Sequence, residues 1–482
     1  MIYLWYDYLY ENEGEIVLVK NLFDVKSILG KRRVLGDLPT NKEIYQTAYK
    51  YAWPSTVEAV LVSLVGMVDT VMVSGIGQTA IAATGITAQP KFIILAPILA
   101  LNIAVTVLIA RRRGENKPEE ANRFLANALI VSLSFAAILS ILGFLFAPQI
   151  MAFAGAEHDY IDLAVTYFKV IMIGNFFNSI SLSLTSAQRG AGNTKISMYT
   201  NLSANLINII FNYLLINGIW IFPKWGVFGA AFATMMGDMV SFTIAIISIS
   251  RKGGFVHLRL SDLKLDLKVI KSIYDLSKDS LLEQVFFRFG MFTYIKMIAG
   301  LGTTDYAAHV VFMTILNITF QYGNGISIAS SALVGRNLGS KRSDIAFVFS
   351  KIFQRVAMIS GILISIFVWT FQSQILGLLT HGDQEIIAIG KTVMPLISVV
   401  ISMQIMQVVT IGSLRGAGDL KFVAFVTIVS VAFIRPVLTY IFAYNLAFGI
   451  VGAWMGYFLD QLFRSITSNR RFHNGSWMEI KV

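Results

Sequence analysis

The sequence predicts an all-α integral membrane protein of twelve transmembrane helices, arranged as two six-helix lobes related by an internal pseudo-two-fold repeat. Three observations predict it. Apolar runs long enough to span hydrocarbon recur along the chain, basic residues gather in alternate loops, and the second half repeats the first at a shift of about 225 residues.

The apolar runs come first. Of 482 residues, 55% are hydrophobic and only 14% charged, and the mean hydropathy is +0.66, whereas a soluble domain carries about 25% charged residues. Stretches such as Phe92–Ala110, Ala126–Phe146 and Val356–Phe371 approach or exceed the roughly 20 apolar residues a helix needs to cross a bilayer. Reading the runs against their punctuation gives helices near 48–75, 79–110, 121–146, 160–187, 196–221, 226–250, 270–299, 304–334, 345–371, 385–412, 420–446 and 448–467. The corresponding organisation is a polar N-terminal extension (1–47), an N-lobe (48–250), an interfacial linker (251–269), a C-lobe (270–468) and a C-terminal tail (469–482). In the linker, leucines at 258, 260, 263, 265 and 267 predict a segment lying along the membrane surface. Pro54, Pro90, Pro97, Pro395 and Pro436 mark expected bends.

The loops set orientation. Arg111, Arg112, Arg113, Lys117 and Arg123 share one side with Arg189 and Lys195, with Arg251, Lys252, Arg259, Lys264 and Lys268, with Arg336, Lys341 and Arg342, and with Arg415 and Lys421. The intervening loops hold almost nothing basic except Lys224. Positive-inside asymmetry places both termini in the cytoplasm of a multi-pass plasma-membrane protein, and an even helix count agrees with their sharing one side. The net charge of +11 is thereby read as topology, not as a nucleic-acid surface. No cysteine is present, and the five histidines show no ligand spacing, which excludes disulfides and thiolate metal sites. No basic region, apolar core and cleavage site open the chain, so no removable signal peptide is expected.

The repeat aligns Leu108–Gly114 (LIARRRG) with Leu333–Gly339 (LVGRNLG), Gly77 and Ala82 with Gly302 and Ala307, and Arg189-Gly190-Ala191-Gly192 with Arg415-Gly416-Ala417-Gly418. Six helices separate equivalent points, so the halves share an orientation and are related by an axis along the membrane normal, one of the arrangements used by secondary transporters. A substrate path between the lobes follows.

Polar residues inside the spans are the candidate site, because an ionised side chain at the bilayer centre costs about 2.5–3.5 kcal/mol on insertion scales. Asp69 lies among Leu64, Val65, Met67, Val68, Val71 and Met72 on helix 1. Glu58, eleven residues earlier, falls roughly 20° away on the helical wheel and about 16 Å along the axis, so both carboxylates face the same way. The repeat carries Glu58 to Glu283 on helix 7. Glu58 has two readings, a transport carboxylate or a charge paired with a loop Lys or Arg. Helix 5 carries Asn201, Asn205, Asn208 and Asn212 as one polar stripe, either lining a cavity or holding helices together. The C-lobe offers Asn317, Gln321 and Asn324 on helix 8 and Gln404 and Gln407 on helix 10. Asp238, Asp460, Arg288 and Lys296 complete the set, with Arg288 either a counter-charge for a carboxylate or free.

Val68-Asp69-Thr70, Arg189-Gly190-Ala191-Gly192-Asn193-Thr194-Lys195, Leu206-Ile207-Asn208, Leu333-Val334-Gly335 and Arg415-Gly416-Ala417-Gly418-Asp419 together resemble the MATE (multidrug and toxic compound extrusion) family over roughly residues 48–468. The resemblance looks closer to the DinF-like or archaeal type than to the NorM-like type. Gln404 stands where the NorM-like branch has an acid, which leaves Glu283 without its usual partner, and Asn212 stands where some proton-coupled archaeal members have Asp. The resemblance implies a secondary antiporter that exports organic compounds, cationic and amphiphilic, in exchange for H+ or Na+ by alternating access. It implies an ion and substrate site at Asp69, Asn208, Asn212 and Glu283, with sodium, if used, near Asp69 or Glu283; the polar residues of the spans add Glu58, Gln321 and Gln404 to the candidate site, with Asn205, Asp238 and Arg288 as further candidates. Expected partners are small organic molecules and the bilayer, not nucleic acid, with the chain working as a monomer and no cofactor. The alternative is a flippase for lipid-linked oligosaccharide or another lipid-like substrate. No HExxH, GxSxG or phosphate-binding glycine loop appears, so no enzyme is expected.

Overall fold

The computed structural model describes residues 24–251, 253–258, 263–380 and 382–480. The called N-terminal residues 1–23, Lys252, Arg259, Leu260 and the last two residues lie outside them.

Every regular element among the described residues is helical, and twelve long helices carry the fold: α1 Asn41–Ser74, α2 Gln78–Gly114, α3 Pro118–Leu145, α4 Ile161–Gly190, α5 Thr194–Asn217, α6 Gly226–Ser250, α7 Leu267–Ala299, α8 Thr303–Gly339, α9 Ser343–Thr370, α10 Gln384–Gly416, α11 Leu420–Asn445 and α12 Gly449–Asn474. Eight of them are long and apolar enough to cross a membrane by length and composition alone. The other four, α5, α7, α8 and α12, are the ones that carry the asparagine stripe or several charged residues. Protein neighbours satisfy those polar groups, so these helices need less apolar sequence.

Helix ends follow local chemistry. α1 begins at Asn41, earlier than the expected 48, because the Thr40 side chain caps the Glu43 N–H while Glu43 reaches back to Thr40, a reciprocal capping box. The polar sequence of 41–47 is the first turns of α1, not an extension. Gly77 and Gly302, aligned by the repeat, open α2 and α8 with φ of 143° and 139°, backbone that only glycine adopts without strain. Short helices Ala147–Ala154 and Gln372–Leu379 follow α3 and α9 at equivalent places. α11 departs from regularity: π-helical turns at Ile428–Ile434 and Tyr440–Asn445 flank a short α-helical piece containing Pro436.

Within the N-lobe, α5 packs on α6, and α4 packs on α2 and α6. In the C-lobe, α10 packs on α8, α9 and α12. Between lobes, α1 lies against α8 and α7 against α2, contacts that exchange under the repeat operation, while α2 and α8 meet each other at the axis. Close backbone approaches between lobes fall at the basic-loop end. A β-carbon on Gly339 would lie 2.2 Å from the Arg111 carbonyl oxygen, and one on Gly114 would overlap the Arg336 carbonyl oxygen. Gly325 abuts Thr56 in the same way.

The linker is tied beneath α3. Asn122 accepts from the His257 N–H, Asn127 accepts from the Asp266 N–H and donates to the Lys264 carbonyl, and Arg113 stacks on Phe255. Leu258 packs with the N-lobe core, whereas Leu265 and Leu267 are exposed. The C-terminal residues do not form a loose tail: α12 continues to Asn474, and Trp477 is fully buried, stacked on Phe472.

Candidate functional site

The asparagine stripe of α5 faces α1, and it divides between two carboxylates. Asn201 and Asn212 are eleven residues apart, as are Glu58 and Asp69, and three helical turns bring each amide beside one acid. Asn212 Nδ2 donates to Asp69 Oδ1 at 2.8 Å. In the orientation that satisfies both ends of its amide, Asn208 donates to Asp69 Oδ1 at 2.7 Å and Oδ2 at 3.1 Å while its oxygen accepts from Thr234 Oγ1 of α6 at 3.1 Å. Asn208 and Asn212 are 5% and 2% exposed, and Asp69 is half-buried. Charge-assisted bonds from two fixed amides hold the carboxylate in place while leaving part of it open.

Three groups that sequence reasoning passed over complete this pocket. Lys91 on α2 and the Tyr167 phenol on α4 each lie close enough to both Asp69 and Asp238 to interact electrostatically with them. Asn178, also on α4, donates to Asp238 Oδ1 at 2.5 Å. Asp238 therefore belongs with Asp69: it sits one turn beyond Thr234 on α6, and Gly237 between them packs on Asn208. The signal that could have found Lys91 is in the sequence, since a lysine inside an apolar span needs a partner or a wet cavity.

Glu58 and Glu283 lie elsewhere. Glu58 Oε1 accepts from Asn201 at 2.6 Å, from Ser197 at 2.8 Å and from Arg189 at 3.5 Å. Glu283 Oε1 accepts from Arg415 at 2.6 Å and from Thr427 at 3.4 Å. Arg189 and Arg415 are the arginines of the two Arg-Gly-Ala-Gly turns, so each turn folds back and clamps the glutamate of its own lobe's first helix. Of the two readings of Glu58, the paired charge is the one the geometry matches. The expectation that Glu283 lacks a partner is corrected in the same way, and the place beside it is filled by a guanidinium.

Arg288 pairs with no carboxylate among the described residues; it stacks on Phe92 of α2 at 4.4 Å, across the lobe boundary. Gln404 donates to the Tyr457 hydroxyl at 3.4 Å. Asn205 and Gln321 are half-buried and join none of these networks.

The C-lobe counterpart of the Asp69 pocket is closed. The repeat carries Asp69 to Tyr294, which is fully buried beside Arg435. Arg435 donates to Asp460 at 2.5 and 3.1 Å and stacks on Tyr457 at 4.2 Å, and Arg464 adds a third bond to Asp460 at 3.0 Å. Asp460 is fully buried, with its charge met by two arginines. Among the described residues no group of three or more His, Cys, Asp or Glu converges, so a cation in either lobe would meet amides and hydroxyls with at most two carboxylates.

The MatE family model matches residues 54–214 and again residues 280–441, one match in each lobe. Among curated proteins the chain is similar to an uncharacterised transporter of Bacillus subtilis, YisQ, at 23% identity over 89% of this chain and 94% of that protein. It is similar to a Thermotoga maritima protein that carries the name NorM at 26% identity, covering 91% and 94%, and to the multidrug resistance protein NorM of Vibrio vulnificus at 23%, covering 77% and 82%. Among solved structures, the outward-facing conformation of a multidrug resistance MATE family transporter has a TM-score of 0.84 at 20% identity, covering 94% of this chain and 98% of that one. The Vibrio cholerae MATE transporter VcmN, in a mutant form, has a TM-score of 0.83 at 16% identity, covering 91% and 99%. With a family match in each of its two lobes, the chain belongs to the MATE family of membrane transporters.

Proposed function

We propose that the protein is a secondary antiporter of the plasma membrane that exports organic cations in exchange for H+ or Na+, with ion and cargo competing for Asp69. The observation that carries this reading is a half-buried carboxylate fixed by Asn208 and Asn212 inside a helical lobe. The names of the NorM relatives support an organic, drug-like cargo. Two features argue for coupling in the N-lobe: Asp69 and Asp238 there have no arginine partner among the described residues, while Glu283 and Asp460 of the C-lobe are matched by Arg415, Arg435 and Arg464. Gln404 in place of an acid points the same way and favours the DinF-like type over the NorM-like one.

Positive-inside asymmetry places the basic-loop end, where α2 and α8 meet, on the cytoplasmic side with both termini. Transport then requires the lobes to part at that inner end, where α2 and α8 pack closely. A one-for-one swap of a monovalent organic cation for H+ or Na+ moves no net charge, so the ion gradient drives it, about 1.4 kcal/mol for each tenfold difference.

The test is efflux of a fluorescent organic cation from proteoliposomes under an imposed pH or sodium gradient, comparing the wild type with Asp69→Asn. Efflux driven by one gradient and lost in the variant supports the reading and identifies the ion. Activity indifferent to both gradients and to Asp69, with folded and inserted protein, sinks it and favours the lipid-linked flippase.

A further inference from the structure

Away from the carboxylates, a groove of about 330 Å³ opens between α3 and α4. Ala137, Ile141 and Phe144 of α3 form one wall, and Ile173, Phe176 and Phe177 of α4 form the other. Met172 closes the back: it is fully buried against Gly143, where a β-carbon would stand 2.6 Å from its sulfur. The glycine lets the two helices touch on one side, while the larger side chains beside it leave them apart on the other. Ile141 and Ile173 are exposed along the groove, and both helices are long and apolar enough to cross a membrane. The medium at this face is therefore hydrocarbon, and the groove offers an apolar chain contact on three sides.

A cation stands at one end of it. Lys169 of α4 is half-buried, and its ammonium lies 5.5 Å from the centre of the Phe144 ring, within cation–π range. Phe144 is the last residue but one of α3, after which the chain turns into the short helix Ala147–Ala154. The ammonium thus sits at the end of the span, and from Phe144 the groove runs seven residues back to Ala137, about 10 Å toward the middle of the membrane. No carboxylate pairs with Lys169 among the described residues; Asp159 and Asp162, the acids closest to it in sequence, are exposed at the start of α4.

We propose that this groove is a binding site for a phospholipid with a net negative headgroup, its phosphate on Lys169 and one acyl chain lying between α3 and α4. A positive charge at the end of the span with an apolar slot beneath it matches the two parts of such a lipid in order and in direction. An amphiphilic cation has the wrong charge for the same place. Positive-inside asymmetry puts this end of α3 outside, so the lipid belongs to the outer leaflet. The site is independent of the role given to Asp69, yet it touches the same lobe: Phe177 meets Phe242 of α6 edge-on at 5.4 Å, and the next residue, Asn178, bonds Asp238. A chain seated against Phe177 braces α4 where it holds that acid.

Native mass spectrometry of detergent-purified full-length protein tests this by counting the lipids that stay bound during titration with phosphatidylglycerol or with phosphatidylcholine of the same acyl chains. The proteins are the wild type, Lys169→Met, Lys169→Arg, Ala137→Trp, Lys169→Met with Ala137→Trp, and Asp69→Asn. Ala137→Trp fills the groove from its wall; if it does not purify folded, Ile173→Trp fills it from an exposed position. Lipids held by the basic loops at the other end are common to all the variants, so the site is read as the difference from the wild type.

The expected result is one lipid that Ala137→Trp removes and that the wild type holds about fivefold more tightly as phosphatidylglycerol than as phosphatidylcholine, the contribution of one lysine facing an anionic headgroup. Lys169→Met erases that preference, Lys169→Arg keeps it, the double variant loses nothing beyond Ala137→Trp, and Asp69→Asn binds as the wild type does. A preference that survives Lys169→Met, a lipid count that Ala137→Trp leaves unchanged, or losses that add in the double variant overturn the proposal. Ethidium, a fluorescent cationic dye, is the competitor: lipid that stays bound in its presence supports the proposal, whereas displacement by the dye assigns the groove to cargo and overturns it. A wild-type dimer that Ala137→Trp splits into monomers overturns it as well, in favour of a second copy of the chain.

Discussion

Arg415 donates to Glu283 at 2.6 Å from the last turn of α10, bridging 132 residues of sequence to reach the middle of α7. Its repeat partner Arg189 reaches Glu58 at 3.5 Å in the N-lobe. The shared design anchors the first helix of each lobe to that lobe's Arg-Gly-Ala-Gly turn, so α1 and α7 move with their own lobes although they pack against the other.

A strut of this kind is tested by breaking it from each side. Arg415→Ala leaves Glu283 buried and unpaired, a loss worth about 3–5 kcal/mol for buried pairs, whereas Glu283→Gln keeps an acceptor for Thr427 and loses less. Thermal unfolding in detergent should therefore rank Arg415→Ala below Glu283→Gln, with Asp69→Asn near the wild type. An Arg415→Ala protein that melts with the wild type would show that the pair contributes nothing.

The divided stripe on α5 gives a second contrast. Asn201 serves Glu58 and Asn212 serves Asp69. Asn212→Ala is expected to weaken dye binding while leaving the melting temperature within a few degrees. Asn201→Ala should do the reverse, since it strips one of the donors from a buried carboxylate at about 1.5–3 kcal/mol. Binding and melting measured on the two variants side by side decide it; identical profiles would mean that the stripe acts as one unit.

Much of this was legible beforehand. Glu58 and Asp69 face one way because eleven residues make three turns, and the asparagines of α5 repeat the same spacing, so their meeting follows from helix geometry alone. For Glu58 a loop arginine was one of the two readings, but which one was not legible, and for Glu283 no partner was, because Arg189 and Arg415 are remote in sequence and fold back to the first helix of each lobe. Asp460 was visible as a charge inside a span, but its partner Arg435 lies on another helix, next to a π-helical turn where a regular 3.6-residue wheel no longer gives the facing. Lys91 was lost inside an apolar run whose average hydropathy masks one charge.

The junction of α2 and α8 offers a lock. A β-carbon on Gly335 would stand 2.9 Å from that of Ala110 across the lobe boundary, so a shift of about 1 Å brings a cysteine pair to the roughly 3.8 Å that a disulfide spans. The chain contains no cysteine of its own, which leaves the engineered pair as the sole thiols. Ala110→Cys with Gly335→Cys should cross-link under oxidant, stop efflux in proteoliposomes and recover with reductant. Full-rate efflux by the cross-linked protein would mean that the lobes never part at this end.

Both chain ends reinforce that junction. The segment before α1, which runs straight into the N-lobe's first helix, is held by the C-lobe: the Leu35 N–H donates to Asp344, Arg342 donates to the Asp37 carbonyl, and Arg32 stacks on Phe347 at 3.9 Å. From the other end, the last described residues of the C-lobe reach the N-lobe, where Arg111 donates to the Ile480 carbonyl at 3.0 Å and to the Ala417 carbonyl at 3.0 Å. Trp477 pins the C-terminal arm, with its indole N–H on the Phe472 carbonyl at 2.8 Å and its ring stacked on Phe472, which in turn stacks on Phe347. Trp477→Ala should cost about 3–5 kcal/mol, as large-to-small changes at buried aromatics do, and should expose the end of α12 to protease. Arg111→Ala removes the crossing bonds without touching that aromatic stack. It should leave the arm protected and the melting temperature lowered less, while opening the inner junction more often, seen as faster formation of a reporter adduct on a cysteine placed at Ala110. An Arg111→Ala protein whose labelling rate matches that of the same cysteine in an otherwise unchanged chain would show that the arm braces the C-lobe alone and does not hold the lobes together.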